Sequence, residues 1–417
     1  MFSSVTFQTA VLVTALAGGL YMAWNIGAND VANSMSTAVG AKAITYKQAI
    51  IIASILTVLG AVLVGEHVTA TVKGGIFDPT AFSRVELALG ALSAMIAAAL
   101  WVTIATWKSL PISTSHSIIG AMLGFGLVAG GPSMIGWGTL GRVVLSWVTS
   151  PIFGAILSFT IFSIIVKIIF NSKDPFETIK KTSPFFIGAT FFIISLSLLY
   201  QTALAARLFG RYPTDFEAIA LSLVIGSIIG LMGKPLLIRG VVRGDEHFEG
   251  VENVFRNLQI ITSCFVAFSH GANDVANAIG PLMLAVENAF PADSSLPFYL
   301  GGNYLLLMGG VGIAIGISTW GYRVMKTVGF SVTKLTNSRG FSVDFGAATT
   351  ILVASKLGMP ISTSHTVVGA VIGVGLARGL EAIDLSVIRR IVISWIITVP
   401  IASITCVAIY LGMNLMV

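Results

Sequence analysis

Gly27-Ala28-Asn29-Asp30-Val31-Ala32-Asn33 is written twice in this 417-residue chain, the second time as Gly271-Ala272-Asn273-Asp274-Val275-Ala276-Asn277. Each copy puts one aspartate and two asparagines into an otherwise lipid-soluble stretch. An ionised aspartate at mid-membrane costs several kcal/mol unless something neutralises it. A seven-residue identity with that cost, made twice, marks the polar centre of a protein built from two related halves.

Other landmarks repeat in the same order and at nearly the same spacing. Pro111-Ile-Ser-Thr-Ser-His116 returns as Pro360-Ile-Ser-Thr-Ser-His365, and Arg142 with Ser146-Trp147 returns as Arg390 with Ser394-Trp395. Three matched landmarks establish an internal duplication. They divide the chain into a first repeat (1–170), additional spans with a charged linker (171–254) and a second repeat (255–417).

Composition sets the solvent. The residues are 55% hydrophobic and only 10% charged, against roughly 25% charged in soluble domains. This is a chain for the lipid bilayer. Its length suits about ten to twelve crossings with short loops, and its 44 glycines suit close helix packing in lipid. The net charge of +6 comes from basic residues scattered over loops, with no basic stripe interleaved with aromatics, so no nucleic acid is expected. Cys264 and Cys406 lie in apolar runs and suggest no disulfide, thiolate metal site or redox motif. No basic region precedes the first apolar run, which is read as a membrane helix rather than a removed signal, with no soluble domain before or after the membrane part.

Apolar runs fall at about 7–26, 48–65, 86–107, 138–170, 184–205, 214–233, up to 289, 300–320, 345–358 and 387–411. The pieces headed by the two Pro-Ile-Ser-Thr-Ser-His runs are short, as expected of re-entrant or broken helices, which are tolerated at membrane depth only where protein or a cavity satisfies the backbone. Residues 291–297 read as a turn-rich interval, and the charged stretch 234–256 as a surface linker. Arg323, Lys326, Lys334 and Arg339 precede the next acid, Asp344, and mark a cytoplasmic loop. Counting back from it makes the second Gly-Ala-Asn-Asp copy cross outward. With Lys42 and Lys47 also inside, the first copy crosses inward. The expected fold is therefore an all-α polytopic membrane protein with two inverted-topology repeats, a plan in which one site can face either side.

In each copy the two asparagines are four residues apart and share a helix face, with the aspartate at its rim. No lysine or arginine lies in either motif. The partners open to the carboxylates are a bound cation, a proton or a distant basic group. The glycines are expected to let the helix open and offer carbonyls, and carboxylate, amide and carbonyl oxygens together suit sodium. Asp30, Asn33, Asp274 and Asn277 are the candidate sodium ligands; bonding among themselves to fix helix packing is the plainer alternative.

Pro111 and Pro360 fit helix starts. Ser113, Thr114 and Ser115, like Ser362, Thr363 and Ser364, would then set hydroxyls beside free backbone N–H groups at the positive end of a helix, an anion receptor. Ordinary capping is the alternative there. Asn29 and Asn273 complete the candidate substrate set. His116 and His365 lack zinc spacing. His270 precedes only the second copy, where the first has Ile26. Lys108, Lys356, Arg142 and Arg390 either draw an anion inward or snorkel at helix ends. A small anion beside two aspartates needs cations to form a nearly neutral complex, so symport follows more naturally than channel conduction.

At these motifs the chain resembles the inorganic phosphate transporter family of sodium- or proton-coupled permeases, over nearly its whole length. The resemblance implies uptake of inorganic phosphate with a cation through an inverted-repeat bundle whose two re-entrant hairpins meet at the substrate. It implies phosphate contacts from the two Ser-Thr-Ser runs, a cation and substrate shell from the two Asn-Asp-x-x-Asn sets, a homodimer, and no enzymatic activity. The long middle loop of animal members is absent, leaving a compact prokaryotic form expected in the cell (inner) membrane. Thr57 stands where animal members tend to carry a glutamate. The intact motif in both halves favours sodium over protons as the coupling ion. Another small oxyanion is the runner-up substrate: arsenate is nearly isosteric, whereas sulfate would leave an acceptor for a P–OH unpaired. An intramembrane hydrolase using Ser115 and His116 is disfavoured, because adjacent helical residues point about 100° apart.

Overall fold

The computed structural model describes residues 5–72, 77, 79–201, 206, 209–238, 241, 248–290, 303–356 and 361–416. Among these, the long elements are all helices: α1 (Val5–Gly40), α2 (Tyr46–Val72), α3 (Arg84–Trp107), α4 (Thr114–Gly130), α5 (Trp137–Ile165), α6 (Pro175–Gln201), α7 (Asp215–Ile238), α8 (Glu249–Asp274), α9 (Ala276–Ala289), α10 (Asn303–Trp320), α11 (Tyr322–Lys326), α12 (Asn337–Lys356), α13 (Thr363–Leu376) and α14 (Leu385–Asn414). The turn-rich interval expected at 291–297 lies outside the described residues.

Seven of these helices are long and apolar enough to cross a membrane, and an eighth crossing is made by the pair Tyr304–Trp320 and Tyr322–Ser331, bent by 57°. Helices α8 and α12 are long enough, at 26 and 20 residues, to span about 30 Å at 1.5 Å per residue, but carry more polar groups. Helices α4 and α13 are shorter, at 17 and 14 residues, and do not span. The chain is thus a multi-pass membrane protein with broken and half-length helices.

The basic segments gather at one face. Arg256 Nε donates to Ala43 O (2.7 Å), Thr327 Oγ1 to Ser109 O (2.8 Å), and Arg323 Nη1 to Trp107 O (3.2 Å). The first ties the end of α1 to the start of α8, and the other two tie the end of α3 to the bend after α10. At the opposite face Arg84, heading α3, donates to Glu287 O (2.7 Å) near the end of α9. Helix α1 therefore ends where α8 begins: the two motif-bearing helices cross in opposite directions, as the charge count implied. The linker expected to be without chemistry has a structural part, since Glu252 accepts from Ser338 N and Oγ (2.8 and 2.7 Å) and caps α12.

Glycine sets how closely the halves interlock. A Cβ on Gly27 would come 1.9 Å from Ile313 O on α10, and one on Gly271 would come 2.0 Å from Thr57 O on α2. Each motif helix thus lies against the second helix of the other repeat with backbones in contact, the small-residue packing that lipid favours. This corrects the expectation that these glycines open the helix: their missing side chains admit a neighbour. Thr57 is buried and donates to Ala267 O (3.3 Å), so it serves the same α2–α8 contact.

Candidate functional site

The first turns of α4 and α13 have nearly the same geometry. Ser113 has φ −92° and ψ 118°, and Ser362 has φ −93° and ψ 117°. Each side chain accepts from the backbone N–H three residues on, His116 N at 3.1 Å and His365 N at 3.2 Å. Those two hydroxyls are N-caps. The hydroxyls that follow reach across to the Asn-Asp-x-x-Asn sets.

Asp30 is the junction. Thr114 Oγ1 on α4 donates to its Oδ2 (2.6 Å), and Ser364 Oγ on α13 to its Oδ1 (3.2 Å). Asn33 donates through Nδ2 to Ser364 Oγ (2.8 Å) and Thr363 Oγ1 (3.3 Å). From the second copy, Asn277 Nδ2 donates to Ser115 Oγ (3.0 Å) and Thr114 Oγ1 (3.5 Å), and Thr363 Oγ1 donates to Asp274 Oδ2 (3.5 Å). Every sequence-derived residue of these sets except Asn273 therefore meets the opposing motif or caps a half-helix, Asn29 only through the backbone of Ile112. Asn29 braces the turn before α4, donating to Thr106 Oγ1 (2.8 Å) and Leu110 O (3.1 Å) and accepting from Ile112 N (3.2 Å). Asn273 is half-buried; residues 357–360, which include Pro360, lie outside the described residues.

The two copies part in backbone. Helix α1 runs unbroken through Gly27–Asn33, whereas the second copy breaks at Val275 between α8 and α9. The first copy is therefore not the helix break expected of it. Pro281, which stands where the first copy's spacing has Thr37, removes an N–H and frees the carbonyl of Asn277.

The nearest ligand atoms of Asp30, Asp274 and His270 all lie within 4.8 Å of one another. Two carboxylate charges at that distance repel by about 3.5 kcal/mol at an effective dielectric near 20. Among the described residues neither carboxylate has a lysine or arginine partner; His270 Nε2 lies 3.2 Å from Asp274 Oδ2. At least one negative charge must be cancelled by something that arrives from outside, and the oxygens of both copies converge where a small cation could do so.

The other candidates sit elsewhere. His116 and His365 meet edge to face with ring centres 4.3 Å apart, each packed on a tryptophan, Trp147 and Trp395, at 3.7 Å. They buttress the half-helices from behind, which also removes His116 as a base for Ser115. Lys356 pairs with Asp215 and lies over the Tyr200 ring, while Lys108, Arg142 and Arg390 are exposed. The snorkelling alternative describes all four.

One buried acid escaped the sequence. Asp344 on α12 is 1% exposed and accepts from Ser263 Oγ (2.5 Å), Thr37 Oγ1 (2.7 Å) and Thr262 Oγ1 (3.3 Å). It stood next to the basic loop and read as a loop charge. Only the packing of α1 and α8 against α12 shows its surroundings.

Known proteins are similar to this chain over nearly its whole length. The phosphate transporter family matches residues 26–406. A solved structure described as the sodium-dependent phosphate transporter is similar over 98% of this chain and 100% of its own, at 44% identity and a TM-score of 0.86. An inferred phosphate permease of Thermococcus kodakarensis is 49% identical over 396 residues, covering 94% of this chain and 95% of its own. One of Haemophilus influenzae is 40% identical over 408 residues, covering 96% of each. With both repeated motifs inside the matched region and the fold shared end to end, the chain belongs to the phosphate transporter family.

Proposed function

We propose that this chain carries inorganic phosphate across the membrane together with sodium, by alternating access of one central site. The observation that carries the reading is Asp30, a single carboxylate holding hydroxyls from both half-helices. In that arrangement Thr114 spends its proton on the carboxylate, and Ser364 divides its own between the carboxylate (3.2 Å) and Ile112 O (3.0 Å). A sodium ion on Asp30 takes over the carboxylate's negative charge, and a hydroxyl can then turn its proton toward an anion while its oxygen faces the cation. Sodium binding thereby creates the donors that phosphate needs, and phosphate leaves them unpaired when it departs. Coupling follows from one set of hydroxyls with two possible acceptors.

In this reading Asp30, Asn33, Asp274 and Asn277 hold sodium. Thr114, Ser115, Thr363 and Ser364 donate to phosphate, joined by Asn273. Ser113 and Ser362 act by capping, so that the N–H groups and dipoles of α4 and α13 point at the anion. Asn29 acts by fixing the turn that leads into α4. The repeats are residues 1–170 and 255–417, with 171–254 as added spans and linker, and the protein works in the cell (inner) membrane as a homodimer.

His270 beside Asp274 is the one feature that favours protons as the coupling ion instead. Labelled phosphate uptake into proteoliposomes, with sodium and pH gradients imposed separately, distinguishes the two. Uptake driven by the sodium gradient at equal pH supports the proposal. Uptake driven only by the pH gradient transfers the role to protons, and uptake under neither removes transport.

A further inference from the structure

At the basic face, a cavity of about 280 Å³ opens between the end of α1 and the start of α8, lined by Val39, Lys42, Ala43, Thr45, Gln48 and Arg256 among others. Among the described residues no acidic side chain lines it. Arg256 is steered into place by its Nε bond to Ala43 O (2.7 Å), which leaves the outer nitrogens of a planar fork suited to a phosphate group. Lys42 stands at φ 59°, one of two non-glycine residues with positive φ among the described residues. A side chain held in that region at a cost of order 1 kcal/mol is a reason to look for a role. The turn is fixed by Lys42 N to Val39 O (3.0 Å) and Ala43 N to Ala38 O (2.8 Å).

What lies beyond the cavity decides between ligands. Gln48 at its rim is followed on the same face of α2 by Ile51, Ile55 and Leu59, at helical spacings of three, four and four. These three are exposed to 59%, 56% and 45%. A cationic cavity at the membrane boundary thus continues directly into an apolar, lipid-facing stripe. A free anion would use only the first part; an anionic glycerophospholipid would use both, with its phosphate beside Lys42 and Arg256 and an acyl chain along α2.

We infer that this cavity is a binding site for the headgroup of an anionic phospholipid, separate from the central site. Basic pockets between membrane helices on the cytoplasmic side take such headgroups. Its position gives it leverage: the turn it contacts ends the helix that carries Asn29, Asp30 and Asn33, so an occupied site braces α1 against α8 at the boundary between the halves.

The test uses the purified full chain in detergent, with native mass spectrometry and thermal stability read against added phosphatidylglycerol, phosphatidylcholine or inorganic phosphate. Wild type is expected to retain phosphatidylglycerol in preference to phosphatidylcholine. Lys42→Gln should lower that retention about five-fold, one basic contact, and Lys42→Gln with Arg256→Gln should abolish the preference. Lys42 is exposed, so the single variant keeps the test open if the double variant misfolds. Equal retention of the two lipids, or unchanged preference in Lys42→Gln, overturns the site. Stabilisation by inorganic phosphate that Lys42→Gln removes, with no lipid preference, makes it a free-anion site and overturns the lipid assignment.

Discussion

The two Gly-Ala-Asn-Asp-Val-Ala-Asn copies share every residue and differ in what they build. In the first, α1 passes straight through, Asp30 accepts from both half-helices and the residue before Gly27 is Ile26. In the second, the helix breaks at Val275, Asp274 holds one hydroxyl at 3.5 Å, and His270 stands beside it. The motif supplies the oxygens; the flanking residues, Pro281 against Thr37 and His270 against Ile26, decide whether backbone carbonyls and an imidazole join them. Two identical motifs thus have unequal surroundings, set from outside the motif. The first copy joins both half-helices through one carboxylate, and the second meets α13 through a single long bond beside a helix break.

The sharpest way to break this comparison is Asp30→Asn. Because Asp30 ties both half-helices, transport should fall at least 100-fold with the fold retained, measured by uptake alongside size-exclusion chromatography. Asp274→Asn should cost less, on the order of ten-fold in apparent sodium affinity. If both variants keep wild-type cation affinity, the aspartates only pack helices. Next in size is Gly27→Ala, which drives a methyl into Ile313 O. Overpacking of this kind costs about 1–3 kcal/mol, seen as a lowered midpoint in thermal unfolding, and Gly271→Ala should match it if the halves interlock alike.

Two smaller changes sharpen the comparison by exchanging flanks. Pro281→Thr restores the missing N–H and should weaken sodium dependence a few-fold while raising thermal stability, since a helix-interior proline costs about 3 kcal/mol when nothing else compensates. His270→Ile copies the first motif's neighbour into the second. With sodium as the coupling ion, uptake under a sodium gradient should change less than about two-fold; a large loss would give the imidazole a share in coupling.

Much of this architecture was legible because lipid makes polar residues expensive. The duplication, the inverted crossing and the pairing of the two motif types all came from residues that a membrane span would not otherwise tolerate. What stayed hidden depends on which helix faces which. Gly27 and Gly271 look like hinges in one dimension and prove to be contact points once α10 and α2 lie against them. Ser113 and Ser362 look equivalent to the hydroxyls that follow them, yet capping geometry turns their side chains back onto their own helices. Asn29 repeats in Asn273, and only the position of residues 106–112 shows that it braces a turn. Asp344 was hidden for the opposite reason, since beside a basic loop an acid costs nothing to explain.

We propose further that the two unequal copies each hold one sodium ion, and that the pair neutralises one phosphate. The ratio of labelled sodium to labelled phosphate entering proteoliposomes reads this directly. Two sodium ions per phosphate in wild type, falling toward one in Asp274→Asn at sodium concentrations that fill the wild-type sites but not the weakened one, is the expected result; a ratio that is the same in both would contradict it.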